Sequence, residues 1–99
     1  MEAKKFLEKM VGPMTVGKLL RAYRTQNDLS AQELADKLGV TKGFISNVET
    51  GKKDISLEKA LELAEDLGES KDLYAGVWFE SQARSAGLDF KKVIKKLAS

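Results

Sequence analysis

Two short segments with helical periodicity are separated by only three residues, Gly39, Val40 and Thr41, and this spacing constrains the fold most strongly. In the first segment, apolar residues recur at the i, i+3, i+4 and i+7 positions from Ala31 to Leu38. Three connecting residues leave room for a sharp turn, and a glycine permits the left-handed backbone that such a turn needs. The pattern therefore predicts two helices joined by one tight turn.

The second of these helices is predicted to begin after Thr41 and to bury only Ile45 and Val48. Its outward positions are mostly small and polar, and they are Lys42, Gly43, Ser46, Asn47 and Thr50. A tight turn followed by such a helix is a helix-turn-helix unit, and its second helix suits the major groove of DNA. There a lysine binds guanine O6 and N7 or a phosphate, and an asparagine binds adenine N6 and N7, whereas Phe44 either packs partly buried or touches a thymine methyl group.

Helical periodicity also governs the rest of the chain. One helix is predicted over residues 15–26, and capping residues Ser30, Ser56 and Ser70 precede three others. Ser30 with Glu33 is expected to form a capping box. The helix after Ser56 is expected to place one set of apolar residues on its buried face, namely Leu57, Ala60, Leu61, Ala64 and Leu67. We therefore predict an all-α bundle of about five helices with an added C-terminal helical extension.

The predicted helices suggest three parts of the chain. Residues 1–13 are expected to be an N-terminal extension, with an amphipathic segment from Ala3 to Val11. Residues 14–68 are expected to be the DNA-binding domain, and residues 69–99 the C-terminal helices for dimerisation or partner binding.

Composition narrows the function. The chain contains no cysteine and no histidine, so disulfides, thiolate metal sites and the usual general base are excluded. We therefore expect no catalytic activity, no metal and no cofactor. The longest apolar run, from Leu73 to Phe79, has seven residues and is too short to cross a membrane. With no secretory signal expected either, a cytoplasmic location is predicted.

The sequence from Ser30 to Lys53 closely resembles the Xre/Cro-type, phage-repressor-like helix-turn-helix family. Four short matches fall in register with that family, namely Leu34-Ala35, Gly39-Val40, Ile45-Ser46 and Glu49-x-Gly51-Lys52. The resemblance extends over about residues 14–68. It implies a compact lambda-repressor-like bundle of four or five helices whose third helix reads DNA.

The resemblance also implies roles for particular residues. Its DNA-facing positions correspond here to Thr41, Lys42, Gly43 and Asn47, and a phosphate-binding position corresponds to Lys52. Arg24 and Glu49 correspond to a family ion pair between the first helix and the recognition helix. One departure concerns the family's phosphate-binding glutamine, because Ala31 stands at that position and either Ser30 or Gln32 would have to replace it.

The predicted fifth helix is apolar nearly all round, which implies burial on several sides. Its large apolar residues are Leu73, Tyr74, Val77, Trp78 and Phe79. Completion of the monomer core, an interface between two copies and a surface for a different protein such as a toxin all remain open. A homodimer is favoured, because aromatic residues are enriched at interfaces and a two-fold operator requires two copies.

The sequence therefore favours a sequence-specific regulator of transcription, acting as a homodimeric repressor on double-stranded palindromic DNA. Two alternatives are an antitoxin that regulates its own operon and a protein-interaction module that has lost DNA binding.

Overall fold

The computed structural model describes residues 13–99, which contain six α-helices and no β-strand. The helices are α1 (Val16–Gln26), α2 (Ala31–Leu38), α3 (Lys42–Glu49), α4 (Leu57–Leu67), α5 (Lys71–Ser85) and α6 (Phe90–Ala98). The prediction of an all-α protein is confirmed. The amphipathic segment expected from Ala3 to Val11 lies outside the described residues.

Each of the six helices begins after a side chain that accepts a hydrogen bond from the first turn. These capping residues are Thr15, Ser30, Thr41, Ser56, Ser70 and Asp89. At α2 the capping box predicted from the sequence is present: Glu33 N donates to Ser30 Oγ at 3.0 Å, and Ser30 N donates to Glu33 Oε1 at 2.8 Å. Local polar residues thus satisfy backbone N–H groups that a helix leaves without an intrahelical partner.

The turn between α2 and α3 begins at Gly39, as the sequence predicts. This glycine has φ of 67° and ψ of 31°, in the left-handed region of the backbone. Residues that have a Cβ adopt this region only at a cost in free energy. The next residue closes the turn, because Val40 N donates to Ala35 O at 3.0 Å. The chain then enters α3 at Thr41, so the three-residue connection forms as the spacing predicts.

The backbone contacts divide the described residues into two compact units, with the boundary between Asp54 and Ile55. In the first unit, α3 packs against both α1 and α2. The fully buried side chains there are aliphatic, and they are Leu20, Leu34, Ala35 and Ile45. The short helix α3 is therefore held on two sides by longer or better-capped neighbours, and its third side is left open.

In the second unit, α4 packs against α5, and α6 lies against α5. The predicted buried face of α4 is wrong in part: Leu63 is fully buried, whereas Leu57 and Leu61 keep partial exposure. The buried stripe is formed by Ala60, Leu63, Ala64 and Leu67. Because successive helical residues differ by about 100°, Leu61 lies at the edge of this stripe rather than at its centre.

Helix α5 is only partly buried within the chain itself. Only Tyr74 is fully buried, while Leu73 and Phe79 are exposed and Val77 is half-buried. Trp78 is also half-buried, and its indole Nε1–H donates to the carbonyl oxygen of Ile55 at 2.7 Å. The aromatic side of α5 is thus used partly inside its own unit and partly left open to solvent.

Helix α6 separates its apolar and charged residues cleanly. Phe90 and Val93 are half-buried, but Ile94 is 48% exposed and Leu97 is 78% exposed. Four exposed lysines occupy the opposite side, and they are Lys91, Lys92, Lys95 and Lys96. Among residues 13–99, no helix is both long and apolar enough to span a bilayer.

Candidate nucleic-acid interface

Helix α3 presents one polar face to solvent and one apolar face to the first unit. Ile45 is fully buried and Val48 nearly so, which fixes the rotation of the helix about its axis. The five outward residues predicted from the sequence are all exposed, and they are Lys42, Gly43, Ser46, Asn47 and Thr50. Eight residues of α-helix span about 12 Å, a length comparable with the width of the major groove.

Several of the predicted contact residues also hold the local backbone. Thr41 Oγ1 accepts a hydrogen bond from Phe44 N at 3.0 Å, and Thr50 Oγ1 donates to Ser46 O at 2.8 Å. Within residues 13–99, by contrast, the side chains of Lys42 and Asn47 make no hydrogen bond. The ammonium group of Lys42 and the amide of Asn47 are therefore available to a ligand, as is the exposed hydroxyl of Ser46.

The N-terminus of α2 lies among the predicted phosphate contacts. Ser30 Oγ is engaged in the capping box, and Gln32 Nε2 donates to Asp36 Oδ1 at 2.9 Å. Both residues are exposed. Gln32 is thus partly committed to a neighbour on its own helix, whereas the Ser30 hydroxyl accepts in the cap and retains its hydrogen for donation.

The loop after α3 is fastened to the helix. Lys53 N donates to Asn47 O at 3.0 Å, and Lys53 Nζ lies 5.8 Å from the centroid of the half-buried Phe44 ring. This distance suits a cation–π contact. Lys52, the predicted phosphate contact, is exposed beside it. The Lys53 ammonium is therefore held against the Phe44 ring of α3, and the exposed Lys52 precedes it in the same loop.

Three charged side chains connect α1 to the end of α3. Arg24 binds Glu49 through two hydrogen bonds, Nε to Oε2 at 2.9 Å and Nη2 to Oε1 at 3.0 Å. Arg21 Nε donates to Glu49 Oε1 at 3.3 Å. The carboxylate is only 4% exposed, so this cluster fixes α3 against α1 through a largely desolvated charge.

The same cluster changes the acidity of its members. Burial by itself raises the pKa of Glu49, but the hydrogen bonds and positive charges of Arg24 and Arg21 outweigh it, so the pKa lies below its usual value. The hydrogen bond to Glu49 raises the pKa of Arg24 above its ordinary value, against a smaller opposing effect of burial. Both groups therefore remain charged at neutral pH.

Gly17 allows the close approach of α1 and α3, a role that the sequence analysis missed. A Cβ added to this buried glycine would overlap the carbonyl oxygen of Val48 and lie 2.9 Å from the Val48 carbonyl carbon. The atoms that it would meet belong to the backbone of α3 and cannot rotate away. An isolated glycine between Val16 and Lys18 in a helical pattern is the signal that would have indicated it.

The face supplies an amide, hydroxyls and ammonium groups, all of which can form hydrogen bonds to a ligand. No group of three or more metal-binding side chains occurs in the part of the chain that the structure describes. Amide and ammonium donors on a narrow exposed helix match the acceptor-rich edges and phosphates of duplex DNA.

Comparison with known proteins agrees with this geometry. The helix-turn-helix family model matches residues 20–74. An uncharacterized HTH-type transcriptional regulator of Sinorhizobium fredii is 36% identical over 63 residues, which cover 64% of this chain and 83% of that protein. A second regulator of the same description, from Methanocaldococcus jannaschii, is 41% identical over 49 residues, which cover 50% of this chain and 74% of that protein.

Two crystal structures of the clp gene regulator ClgR from Corynebacterium glutamicum are similar in fold. The first has a TM-score of 0.54 and 29% identity, over 67% of this chain and 86% of ClgR. The second has a TM-score of 0.53 and 26% identity, over 83% and 84%. The family match covers more than half of the chain, including the whole turn and α3. This protein therefore belongs to the Xre/Cro-type helix-turn-helix family of DNA-binding transcription regulators.

Proposed function

We propose that this regulator binds a palindromic operator in double-stranded DNA as a homodimer and represses transcription by occupying a promoter. The observation that carries the proposal is the exposed polar face of α3, oriented by the buried Ile45 and Val48. Residues 14–68 are assigned to DNA binding, and residues 69–99 to dimerisation. Selection of bound duplexes from a random pool tests the proposal, because a dimeric reader enriches two inverted half-sites.

Each residue of the face has a proposed role. Asn47 pairs with adenine N6 and N7, and Lys42 binds guanine O6 and N7 or a phosphate. Gly43 keeps the backbone of α3 close to the base edges, and Phe44 lies against a thymine methyl group at the side of the groove. The remaining polar residues bind phosphates or water at the groove edge, and they are Ser30, Gln32, Thr41, Ser46, Thr50 and Lys52.

Replacement of Asn47 by alanine is expected to weaken binding to the selected operator by about 1–3 kcal/mol and to relax selection at one base pair of each half-site. The reason is that its amide has no hydrogen bond within residues 13–99 and is the only amide on the outward face of α3. Titration of operator variants at one fixed salt concentration measures both effects.

Lys52→Ala provides the contrast for this experiment. A phosphate contact carries no sequence information, so the loss should be similar on operator and unrelated DNA, with the salt slope lower by about one unit. If Asn47→Ala binds the operator as tightly as the wild type, the assignment of α3 to the groove is wrong.

The proposed dimer interface rests on the apolar surface of the second unit. The five exposed large apolar side chains in residues 13–99 all belong to that unit, and they are Leu73, Phe79, Leu88, Ile94 and Leu97. Tyr74 has no exposed surface, and Trp78 is half-buried with its indole hydrogen-bonded inside the unit. The proposed interface contains Leu73 and Phe79 of α5, with Val77 and Trp78 at its edge. It also contains the apolar stripe of α6, which is formed by Ile94 and Leu97.

Leu97→Glu is therefore expected to convert a dimer into a monomer at micromolar concentration, because it places a charge in the apolar stripe of α6. It leaves the core residues of the unit unchanged. Sedimentation velocity measures the change. Lys96→Gln is the matched control, because it makes the same change in net charge on the opposite side of α6 and should leave the dimer intact.

A wild-type chain that sediments as a monomer would contradict the dimer. If it then copurifies with a small protein encoded beside it, the apolar stripe serves a toxin, and the antitoxin alternative is favoured. If it binds no DNA at any salt concentration, the alternative of a pure protein-interaction module is favoured.

A further inference from the structure

The ion cluster at the end of α3 contains two arginines, Arg21 and Arg24, and one carboxylate, Glu49. Arg24 alone occupies both oxygens of Glu49, through Nε to Oε2 and Nη2 to Oε1. Arg21 adds a second, longer bond to Oε1 at 3.3 Å. Two guanidinium groups therefore face a single carboxylate, and the cluster has a net charge of +1. Because Arg24 neutralises Glu49 with bidentate geometry, the excess charge belongs in practice to Arg21.

Arg21 is also the exposed member of the cluster. Its side chain is 56% exposed, whereas that of Arg24 is 25% exposed. Toward the described part of the chain, Arg21 donates only through Nε. A guanidinium has five N–H donors in a planar fork, and neither terminal nitrogen of Arg21 donates a hydrogen bond within residues 13–99, so four N–H groups of this exposed side chain remain for another ligand. The bond to Glu49 holds this fork in place and reduces the entropy lost when it binds an anion.

The position of Arg21 relative to α3 follows from helical periodicity. Glu49 lies seven residues after Lys42, which is close to two full turns, so both residues occupy the same edge of the helix. Arg21 is attached to that edge through Glu49, while Lys53, from the loop after α3, lies over Phe44 in the first turn of the same helix. A helix in the major groove has a phosphate backbone along each edge.

We propose that Arg21 binds a backbone phosphate of the DNA, held by Glu49 in the orientation that this contact requires. The proposal rests on the DNA-binding function proposed above. It adds a residue of α1, outside the turn and the recognition helix, to the surface that meets the duplex. Because the bond to Glu49 uses only Nε, the phosphate contact forms without breaking the link between α1 and α3.

The salt dependence of binding tests this role. Arg21→Gln should lower the slope of log affinity against log salt by about 0.9, on operator and unrelated DNA alike. Between 50 and 200 mM salt, the advantage of the wild type over the variant should therefore shrink by about 3.5-fold. Arg21→Lys keeps the charge and should restore most of the slope.

Lys71→Gln is the matched control. Lys71 is also an exposed cation paired with a carboxylate: its side chain is 54% exposed, and its Nζ lies 3.2 Å from Glu65 Oε2. This variant changes the net charge by the same amount but lies among residues 69–99, which are assigned to dimerisation, so its salt slope should equal that of the wild type. Urea denaturation of Arg21→Gln should remain close to that of the wild type, because Arg24 still binds both oxygens of Glu49.

Two results would overturn the proposal for Arg21 alone. One is that Arg21→Gln has the same salt slope as a wild type that binds DNA. The other is that Arg21→Gln loses stability without a change in salt slope, and this result would mean that Arg21 only supports Glu49. A wild-type chain that binds no duplex overturns both this inference and the proposed function.

Discussion

Replacement of Gly17 by alanine is expected to destabilise the protein by about 3 kcal/mol, the upper part of the range for overpacked sites. The added methyl group would overlap the carbonyl oxygen of Val48 and lie 3.1 Å from the Cα atom of Glu49. Neither atom belongs to a side chain that can change rotamer, so α1 and α3 would have to move apart. That separation would also lengthen the hydrogen bonds between Arg24 and Glu49.

Urea denaturation followed by far-UV circular dichroism measures this loss. Gly43→Ala is the matched control for stability, because Gly43 is likewise the second residue of its helix. A Cβ there would meet only Thr41 Oγ1 at 3.9 Å, an ordinary contact. The control should be as stable as the wild type or slightly more stable, since alanine favours helix over glycine. Equal stability of Gly17→Ala and the wild type would show that α1 and α3 are not in close contact.

Arg24→Ala is expected to cost about 3 kcal/mol of stability, near the lower end of the range for a broken buried ion pair. Glu49 is almost entirely buried and would keep only the single bond from Arg21. Glu49→Ala should cost less, because the exposed part of Arg24 can be solvated and Arg24 Nη1 also donates to Leu29 O at 3.3 Å. The family resemblance predicts this pair but does not distinguish the roles of its two partners.

A double-mutant cycle with both single variants and the double variant measures the coupling directly, and we expect a value within about 0.5–3 kcal/mol. Additive losses would remove the claim that Arg24 and Glu49 act as a unit. The pH dependence provides a second measurement. Because the pKa of Glu49 is lower in the folded state, its stabilisation is complete above the unfolded value of about 4.3 and is lost as the pH falls further. The wild type should therefore lose its advantage over Glu49→Ala only at acidic pH.

Much of the fold could be predicted because its signals are local. A capping hydroxyl needs only the next three residues to form its bond, so Ser30, Thr41 and Ser56 indicate helix starts directly from the sequence. The turn at Gly39 likewise depends on one residue with a left-handed backbone. The outward face of α3 follows as well, because only Ile45 and Val48 in that short helix are aliphatic.

The parts that were missed depend on how elements meet. Gly17 matters because α1 crosses α3 at that point, and no property of residues 15–26 reveals which backbone will lie against it. Leu63 was overlooked because a leucine at nearly every turn of α4 makes several stripes equally apolar, and only packing against α5 selects one. The partner of α5 could not be predicted, because apolar composition does not distinguish a core from an interface with a second copy or with another protein.

The hydrogen bond between Trp78 and the carbonyl of Ile55 makes tryptophan fluorescence a probe of the folding of one unit. Trp78 is the only tryptophan in the chain, and both atoms of this bond lie in the second unit. Tryptophan emission therefore responds to residues 55–99, whereas far-UV circular dichroism responds to helices throughout the chain. If the two signals change at different urea concentrations, the two units unfold as separate cooperative transitions. A mutation could then change the stability of one unit without weakening the other.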